Sequence, residues 1–331
     1  MLKVGLLGAG RIGQVHARAI AAHPGSALAA VSDAVPAAAD ALAAAHGARV
    51  NATEAILDDP GIDAVLIATP TDTHAALIEA AVAAGKAVLC EKPVDLDLAR
   101  ARACLDRVKD SGRAVMVGFN RRFDPGFARL KRDFDAGVIG GGELLALTSF
   151  DPAPPPAAYI EVSGGLFRDM AIHDFDLACW IFGALPQTVS ATASSLVDPA
   201  IGAAGDVDTA VTTLRFADGR LAVIKNSRRA AYGYDQRIEV LGAMGLLSAA
   251  NLAEDNVTLM NASGVTSARP LHFFLERYAR AYAAEWAAFV TAVQDGTPPP
   301  VGLADGVAAL AVAEAAARSV RTGAAVRLAD I

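Results

Sequence analysis

Along the first 120 residues, short runs of aliphatic and β-branched residues alternate with longer segments whose apolar positions recur at helical spacing. The runs are KVGLLG (3–8), ALAAVSD (27–33), DAVLIAT (63–69), AVLCE (87–91) and AVMVGF (114–119). Between them, helices are predicted at 11–22, 36–45, 73–84 and 96–111. Apolar strands separated by helices require crossover connections, and so a parallel sheet with helices on both faces. Each of the first four strands ends in polar or glycine-rich punctuation: GAG, SD, TPTD and EKP. Ligand-binding residues of open α/β sheets collect at such carboxyl ends.

The rhythm changes after Asn120. FDPGFARLKRDFDAG reads as a helix with a glycine stop, and GGELLALTSF as a strand. DPAPPPAAYIEVSGG follows, a Pro- and Gly-rich stretch not expected to form regular helix. A helix is expected over 165–182. The alternating runs TVSATASSLV, DTAVTTLRFADGRLAVIKNSRRA, QRIEVLGAMGLLSA and NVTLMNAS then predict an antiparallel sheet, with hairpins at ADG and GAMG. Two helices, 271–295 and 303–321, close the chain. The expected organisation is an α/β domain with a parallel sheet over 1–120, and a C-terminal α+β domain with an antiparallel sheet over 121–331. The last helix is a candidate to pack back on the first domain.

Composition narrows the function classes. The 331 residues are 53% hydrophobic, much of it alanine, and no run offers about 18 strongly apolar uncharged residues, so no membrane span is expected. No signal-peptide cleavage pattern follows the N-terminal apolar run, and a cytoplasmic location is expected. Lys and Arg number 29 against 36 Asp and Glu, a formal charge of −7 that argues against a nucleic-acid partner. Cys90, Cys104 and Cys179 have no paired spacing, which supports neither a disulfide framework nor a zinc site.

Gly8, Gly10 and Gly13 stand in GxGxxG spacing directly after a strand and at the start of a helix. Gly8 allows the tight turn, Gly10 lets backbone approach a pyrophosphate, and Gly13 lets helix and strand pack closely. The turn also includes Arg11 and Ile12. Asp33, at the end of the second strand, is placed to accept hydrogen bonds from an adenosine ribose diol, which favours NAD over NADP. Arg11 could meet a phosphate of either cofactor, and Asp33 could instead cap a helix. Thr69 and Pro70 are candidate cofactor neighbours, with His74 an edge contact or a packed first-turn histidine.

Glu91-Lys92-Pro93 sets a charged pair where the fourth strand leaves the sheet, near where a nicotinamide would lie, so Glu91 and Lys92 are candidate cofactor contacts. Lys92 could polarise a substrate oxygen. In SGGLFRDMAIHDFD, Asp169 and His173 are four apart and share a helix face. A histidine supported by a carboxylate suits proton abstraction from an alcohol. Asp174 and Asp176 point elsewhere. The residues match no metal-ligand set, and no metal is expected.

GLLGAGRIG, TPTDTH, CEKP, GFNRRFDP, SGGLFRDMAIHDFD and YGYDQRIEVLG together resemble the glucose-fructose oxidoreductase/inositol dehydrogenase (Gfo/Idh/MocA) family over nearly the whole chain. The resemblance implies an N-terminal Rossmann domain, a C-terminal substrate-binding and oligomerisation domain with an open, mostly antiparallel sheet, catalytic roles for Lys92, Asp169 and His173, and a homo-oligomer, a tetramer ahead of a dimer. Within the family the motifs are most similar to the inositol 2-dehydrogenases. That implies NAD-dependent oxidation of a cyclic polyol, myo-inositol to scyllo-inosose. Asp151, Tyr234 and Arg122 are candidate substrate contacts, although Arg122 could pair with Asp124 and Tyr234 could simply pack. Asn120 and Phe150 depart from the subgroup pattern, which keeps scyllo-inositol and aldopyranose sugars open as substrates, in either redox direction. A nucleotide-sensing regulatory protein without turnover is the rival from another class.

Overall fold

The computed structural model describes the backbone of residues 1–331 and every side chain except those of Ala157 and Glu161. In the N-terminal part, β1 (Leu2–Leu7), α1 (Arg11–Ala22), β2 (Ser26–Ser32), α2 (Pro36–His46), β3 (Arg49–Val50), α3 (Thr53–Asp58), β4 (Ala64–Ile67), α4 (His74–Ala83), β5 (Ala87–Cys90), α5 (Leu98–Val108) and β6 (Val115–Val117) follow one another. The strands form one parallel sheet in the order β3-β2-β1-β4-β5-β6. Every residue of β4 and β5 is buried, as a strand covered on both faces requires. β3 and α3 were not anticipated, because two and six residues are too short to carry a periodic signal.

The next part holds α6 (Pro125–Asp135), β7 (Gly142–Phe150), α7 (Ala157–Ser163), α8 (Ile172–Phe182), β8 (Pro186–Ser194), α9 (Pro199–Ala203), β9 (Thr209–Phe216), β10 (Leu221–Ser227), β11 (Asp235–Gly242), β12 (Gly245–Ala249), β13 (Thr258–Asn261), β14 (Gly264–Ser267) and α10 (Phe274–Arg277). Six of these strands join the C-terminal β15 (Val326–Arg327) in a sheet ordered β12-β11-β7-β10-β9-β8-β15. β7 and β10 are its one parallel pair among the described residues; all other pairs are antiparallel. The ADG and GAMG turns join β9 to β10 and β11 to β12, as expected.

Three local expectations change. The stretch after Pro156 does form a helix, α7, because Pro156 is its N-cap and proline disrupts only the turns that precede it. The helix expected over 165–182 divides into a π-helical turn, Phe167–Ala171, followed by α8. NVTLMNAS pairs with β14 in a separate two-stranded sheet instead of joining the large one.

One face of the large sheet carries exposed leucines in register. Leu246 lies opposite Leu241, Leu241 opposite Leu144, and Leu144 opposite Leu221. Directly opposed residues share a face, so the four side chains form one apolar row across β12, β11, β7 and β10. All four are exposed, from 39% at Leu144 to 54% at Leu246.

The long helices α11 (Ala279–Asp295) and α12 (Leu303–Thr322) complete the chain. It divides into two compact units, Met1–Phe123 with Arg280–Ala308, and Asp124–Ala279 with Ala309–Ile331. The break thus falls after residue 123 instead of 120. The returning segment is centred on α11, not on the last helix, for a reason visible in the core. Trp286 and Phe289 are fully buried, the Trp286 indole donates to Ser26 Oγ, and Val117 N–H donates to Val301 O. Most of α12 serves the second unit, where Ser319 Oγ accepts from Ala191 N–H and Glu314 pairs with Arg168. Among the described residues no helix is long and apolar enough to cross a membrane.

Candidate functional site

The turn after β1 has a shape only glycine permits. Gly8 has φ +100°, and a side chain there would sit 2.4 Å from the Ala68 carbonyl oxygen. A Cβ on Gly13 would lie 2.0 Å from Gly8 O, so the first turn of α1 rests on the backbone of the loop. Gly10 differs, because a Cβ there would meet nothing within 4 Å. Gly10 is also the N-cap of α1, with no side-chain cap and no acidic residue in the first turn. An open helix N-terminus with its leading N–H groups uncapped suits a phosphate. Arg11 is exposed beside it and Ile12 half-buried.

Asp33 is tied to this loop. Its Oδ2 accepts from Ala9 N–H at 2.6 Å and its Oδ1 from Val35 N–H at 2.7 Å. Each carboxylate oxygen keeps a further lone pair for a ribose hydroxyl. Beyond β4, Thr69 Oγ1 meets Thr73 Oγ1 at 2.6 Å, and Thr73 Oγ1 donates to Pro70 O. His74 is 1% exposed, with Nδ1 2.7 Å from Pro93 O and Nε2 2.9 Å from Thr69 O. Both ring nitrogens face backbone carbonyls, and the one that carries the proton donates. His74 therefore braces the loop after β4 against the one after β5, an arrangement that matches the packed first-turn histidine of the two readings open for it.

Glu91 follows β5 and is buried. It accepts from His16 Nε2 at 2.7 Å, and its other oxygen from Lys92 N–H at 3.3 Å. Burial opposes its charge, but the hydrogen bond and charge of His16, with Lys92 and His74 adding, hold it below the usual carboxylate range. Lys92 is half-buried, and its bond to Pro93 is cis. The His16 ring is edge-on to Tyr282 of α11, with centroids 5.4 Å apart. One turn along α11, Glu285 is fully buried and neither carboxyl oxygen has a hydrogen-bond partner among the described residues. Burial, reinforced by the Glu91 charge, pushes the Glu285 carboxyl well above its ordinary value.

In the second unit, Asp169 lies in the π-helical turn and half-buried His173 is the second residue of α8, so one helical turn separates them. Such widened turns recur at functional positions. Asp169 Oδ1 accepts from Tyr159 Oη at 2.9 Å, and Oδ2 lies 3.4 Å from Arg228 Nη2. Asp174 is buried and accepts from Asn226 Nδ2 at 2.7 Å; Asp176 is also buried. Among the described residues no three His, Cys, Asp or Glu side chains could hold a metal ion.

Of the candidate substrate contacts, Arg122 is 8% exposed and pairs with Asp305 at 2.9 Å. Its expected alternative partner, Asp124, pairs with buried Arg277. Tyr234 is 6% exposed and packs T-shaped on Tyr278, with centroids 6.0 Å apart. Asp151 and Phe150 are half-buried at the end of β7, and Asn120 is buried.

Residues 2–119 match the oxidoreductase family's NAD-binding Rossmann fold, and residues 135–328 its C-terminal alpha/beta domain. The chain belongs to the Gfo/Idh/MocA oxidoreductase family. It is 52% identical over 320 residues to an inositol 2-dehydrogenase of Rhizobium meliloti, covering 96% of this chain and 97% of that one. It is 37% identical over 330 residues to a scyllo-inositol 2-dehydrogenase (NAD(+)) of Bacillus subtilis, covering 99% and 96%. A crystal structure of a myo-inositol dehydrogenase from Corynebacterium glutamicum superimposes with a TM-score of 0.95 at 43% identity, covering 99% of each chain. The chain is thus an NAD-dependent oxidoreductase acting on CH–OH groups.

For a member of this family, the glycine turn and Asp33 fit the cofactor on structural grounds: an open cradle at Gly10, an uncapped helix start and a carboxylate beside the loop. Several residues around these positions escaped the sequence reading. Arg228, Tyr159, Glu285 and His16 belong to no motif, and only folding reveals that Arg228 and Glu285 are buried. Glu285 did carry a faint signal, a carboxylate on the apolar face of a helix between Tyr282 and Phe289. The large groove of about 1160 Å³ in the first unit runs past Leu2, Lys86, Val115 and Pro298, at the amino ends of the strands, and none of the proposed site residues lines it.

Proposed function

We propose that this protein oxidises a ring hydroxyl of a cyclic polyol, myo-inositol to scyllo-inosose. His173 accepts the hydroxyl proton as general base, and Asp169 stabilises the imidazolium that results. Lys92 hydrogen-bonds the reacting oxygen and stabilises the negative charge that develops there. The turn from Gly8 to Gly13 receives the cofactor pyrophosphate on backbone N–H groups, and Asp33 receives the ribose diol. Bound NAD+ supplies the hydride acceptor.

The observation that carries this reading is the helical run that sets His173 one turn beyond Asp169, with Asp169 held by Tyr159 and Arg228. The 52% identity to an inositol 2-dehydrogenase supports the choice of substrate. A second reading, oxidation of scyllo-inositol, is favoured by the 37% identity to an enzyme of that name. Initial rates over a panel of myo-inositol, scyllo-inositol and aldopyranoses, each with NAD+ and NADP+, decide between them. The myo-inositol assignment predicts the highest kcat/KM for that isomer with NAD+. A preference for aldopyranoses would overturn it. Cofactor binding with no reduction across the panel would indicate a regulatory protein.

Asp151, Arg122 and Tyr234 remain the proposed substrate contacts. We also propose that the leucine row of the large sheet is covered by a second copy of the chain, in a tetramer ahead of a dimer. Isolated exposed leucines are ordinary, but four in register across four strands form a patch of the kind that marks an interface.

A further inference from the structure

The end of β10 holds two side chains that grip the segment carrying the proposed base. Asn226 is 1% exposed and donates to Asp174, the neighbour of His173. Two residues on, Arg228 is also 1% exposed, and its backbone N–H donates to Asp208 O. Its guanidinium pairs with Asp169, while its Nε has no hydrogen-bond partner among the described residues. A buried cation needs a counter-charge, and removing one partner of such a pair leaves the other uncompensated. The carboxylate of Asp208 is engaged elsewhere, accepting from the N–H groups of Leu196, Val197 and Asp198 and from the Thr209 hydroxyl. Burial opposes the Asp208 charge, yet those backbone hydrogen bonds hold it below the ordinary aspartate value.

The contacts on Asp169 have a definite sense. Tyr159 Oη donates to one oxygen and the Arg228 guanidinium faces the other, so both match a carboxylate acceptor and fix its plane. β10 runs parallel to β7 in the middle of the sheet, and Asp151 N–H donates to Ser227 O just before Arg228. Arg228 therefore issues from the sheet next to the strand end that bears Asp151.

We infer that Arg228 is a positioning residue for the reaction: with Asn226 it clamps the π-helical turn and the start of α8, orienting Asp169 and balancing its charge so that His173 is presented in register. The inference rests on the roles proposed above for Asp169 and His173. Arginine suits this place better than lysine, because its planar fork holds a carboxylate in one orientation.

A double-mutant cycle tests it, using kcat and KM for myo-inositol and NAD+ in Arg228→Met, Arg228→Lys, Asp169→Asn and Arg228→Met/Asp169→Asn. Arg228→Met is expected to lower kcat by at least about tenfold while the KM for NAD+ stays within about twofold. Arg228→Lys, which keeps the charge and serves if the methionine variant does not fold, is expected to recover part of that loss. In the Asp169→Asn background, Arg228→Met is expected to cost less than about threefold, because the group it acts through is gone. An equal loss in both backgrounds overturns the inference, as does an effect confined to the substrate KM, which would mark a direct substrate contact. A near-wild-type rate for Asp169→Asn would instead overturn the proposed role of Asp169 itself.

Discussion

Glu285 offers a quantitative test of how the first unit is built. Its carboxyl is fully buried, and burial with the nearby Glu91 charge pushes it well above the ordinary value of 4.5. The folded protein then holds a proton on Glu285 that the unfolded chain releases once the pH exceeds that value. Where the unfolded state binds fewer protons, stability falls as pH rises. The contribution is complete below the unfolded value and is lost progressively up to the folded one. The slope between the two values is about 1.4 kcal/mol per pH unit.

Glu285→Gln keeps the shape and removes the titration. The stability of this variant minus that of the wild type should therefore climb by about 1.4 kcal/mol per pH unit above pH 5, levelling where Glu285 ionises in the fold. The chain has two tryptophans, Trp180 and Trp286, and Trp286 is buried one residue from Glu285 in the first unit. Urea unfolding followed by Trp286 fluorescence in a Trp180→Phe background isolates the relevant transition. A difference that stays constant between pH 5.5 and 7.5 would refute the reasoning, because it would mean that Glu285 is ionised in the folded state.

Three further outcomes are expected. Asp33→Ala should lower the NAD+ over NADP+ preference in kcat/KM by about tenfold or more, since it removes the ribose acceptor and the repulsion of a 2′-phosphate; an unchanged ratio takes Asp33 out of that role. His173→Ala should reduce kcat by about 10²- to 10⁴-fold, with NAD+ affinity by fluorescence titration nearly unchanged. Equal losses in both would point to structural damage. Leu144→Glu puts a charge in the middle of the leucine row, and sedimentation should then show a smaller assembly than wild type. A wild-type assembly for that variant would remove this face from the interface.

Much of the candidate site is legible in one dimension because its residues sit at strand ends and within one helical turn. Gly8, Gly10 and Gly13 span one strand-to-helix turn, and the clashes at Gly8 and Gly13 leave no other residue type. Asp169 and His173 stand out because positions four apart on a helix share a face. His74 was legible only as a histidine near the right loop. The two backbone carbonyls that flank its ring, one 19 residues away in sequence, come together only when β4 and β5 are laid side by side. α7 was lost because four prolines dominated the window, although a helix can begin at the residue after a proline cap.

The amino-acid sequence alone determined the parallel sheet, the glycine turn after β1, the hairpins at ADG and GAMG, and the residue types suited to alcohol oxidation. Each of these follows from periodicity or from backbone freedom within a few residues. Tertiary structure decided where long-range partners fall. It assigned Arg280–Ala308 to the first unit, because Trp286 and Phe289 find their burial there. It set a buried carboxyl at Glu285 near Glu91, and it set Arg228 beside Asp169, 59 residues apart in the chain. The energies of such pairs depend on burial and on the company a charge keeps, and neither exists until the chain has folded.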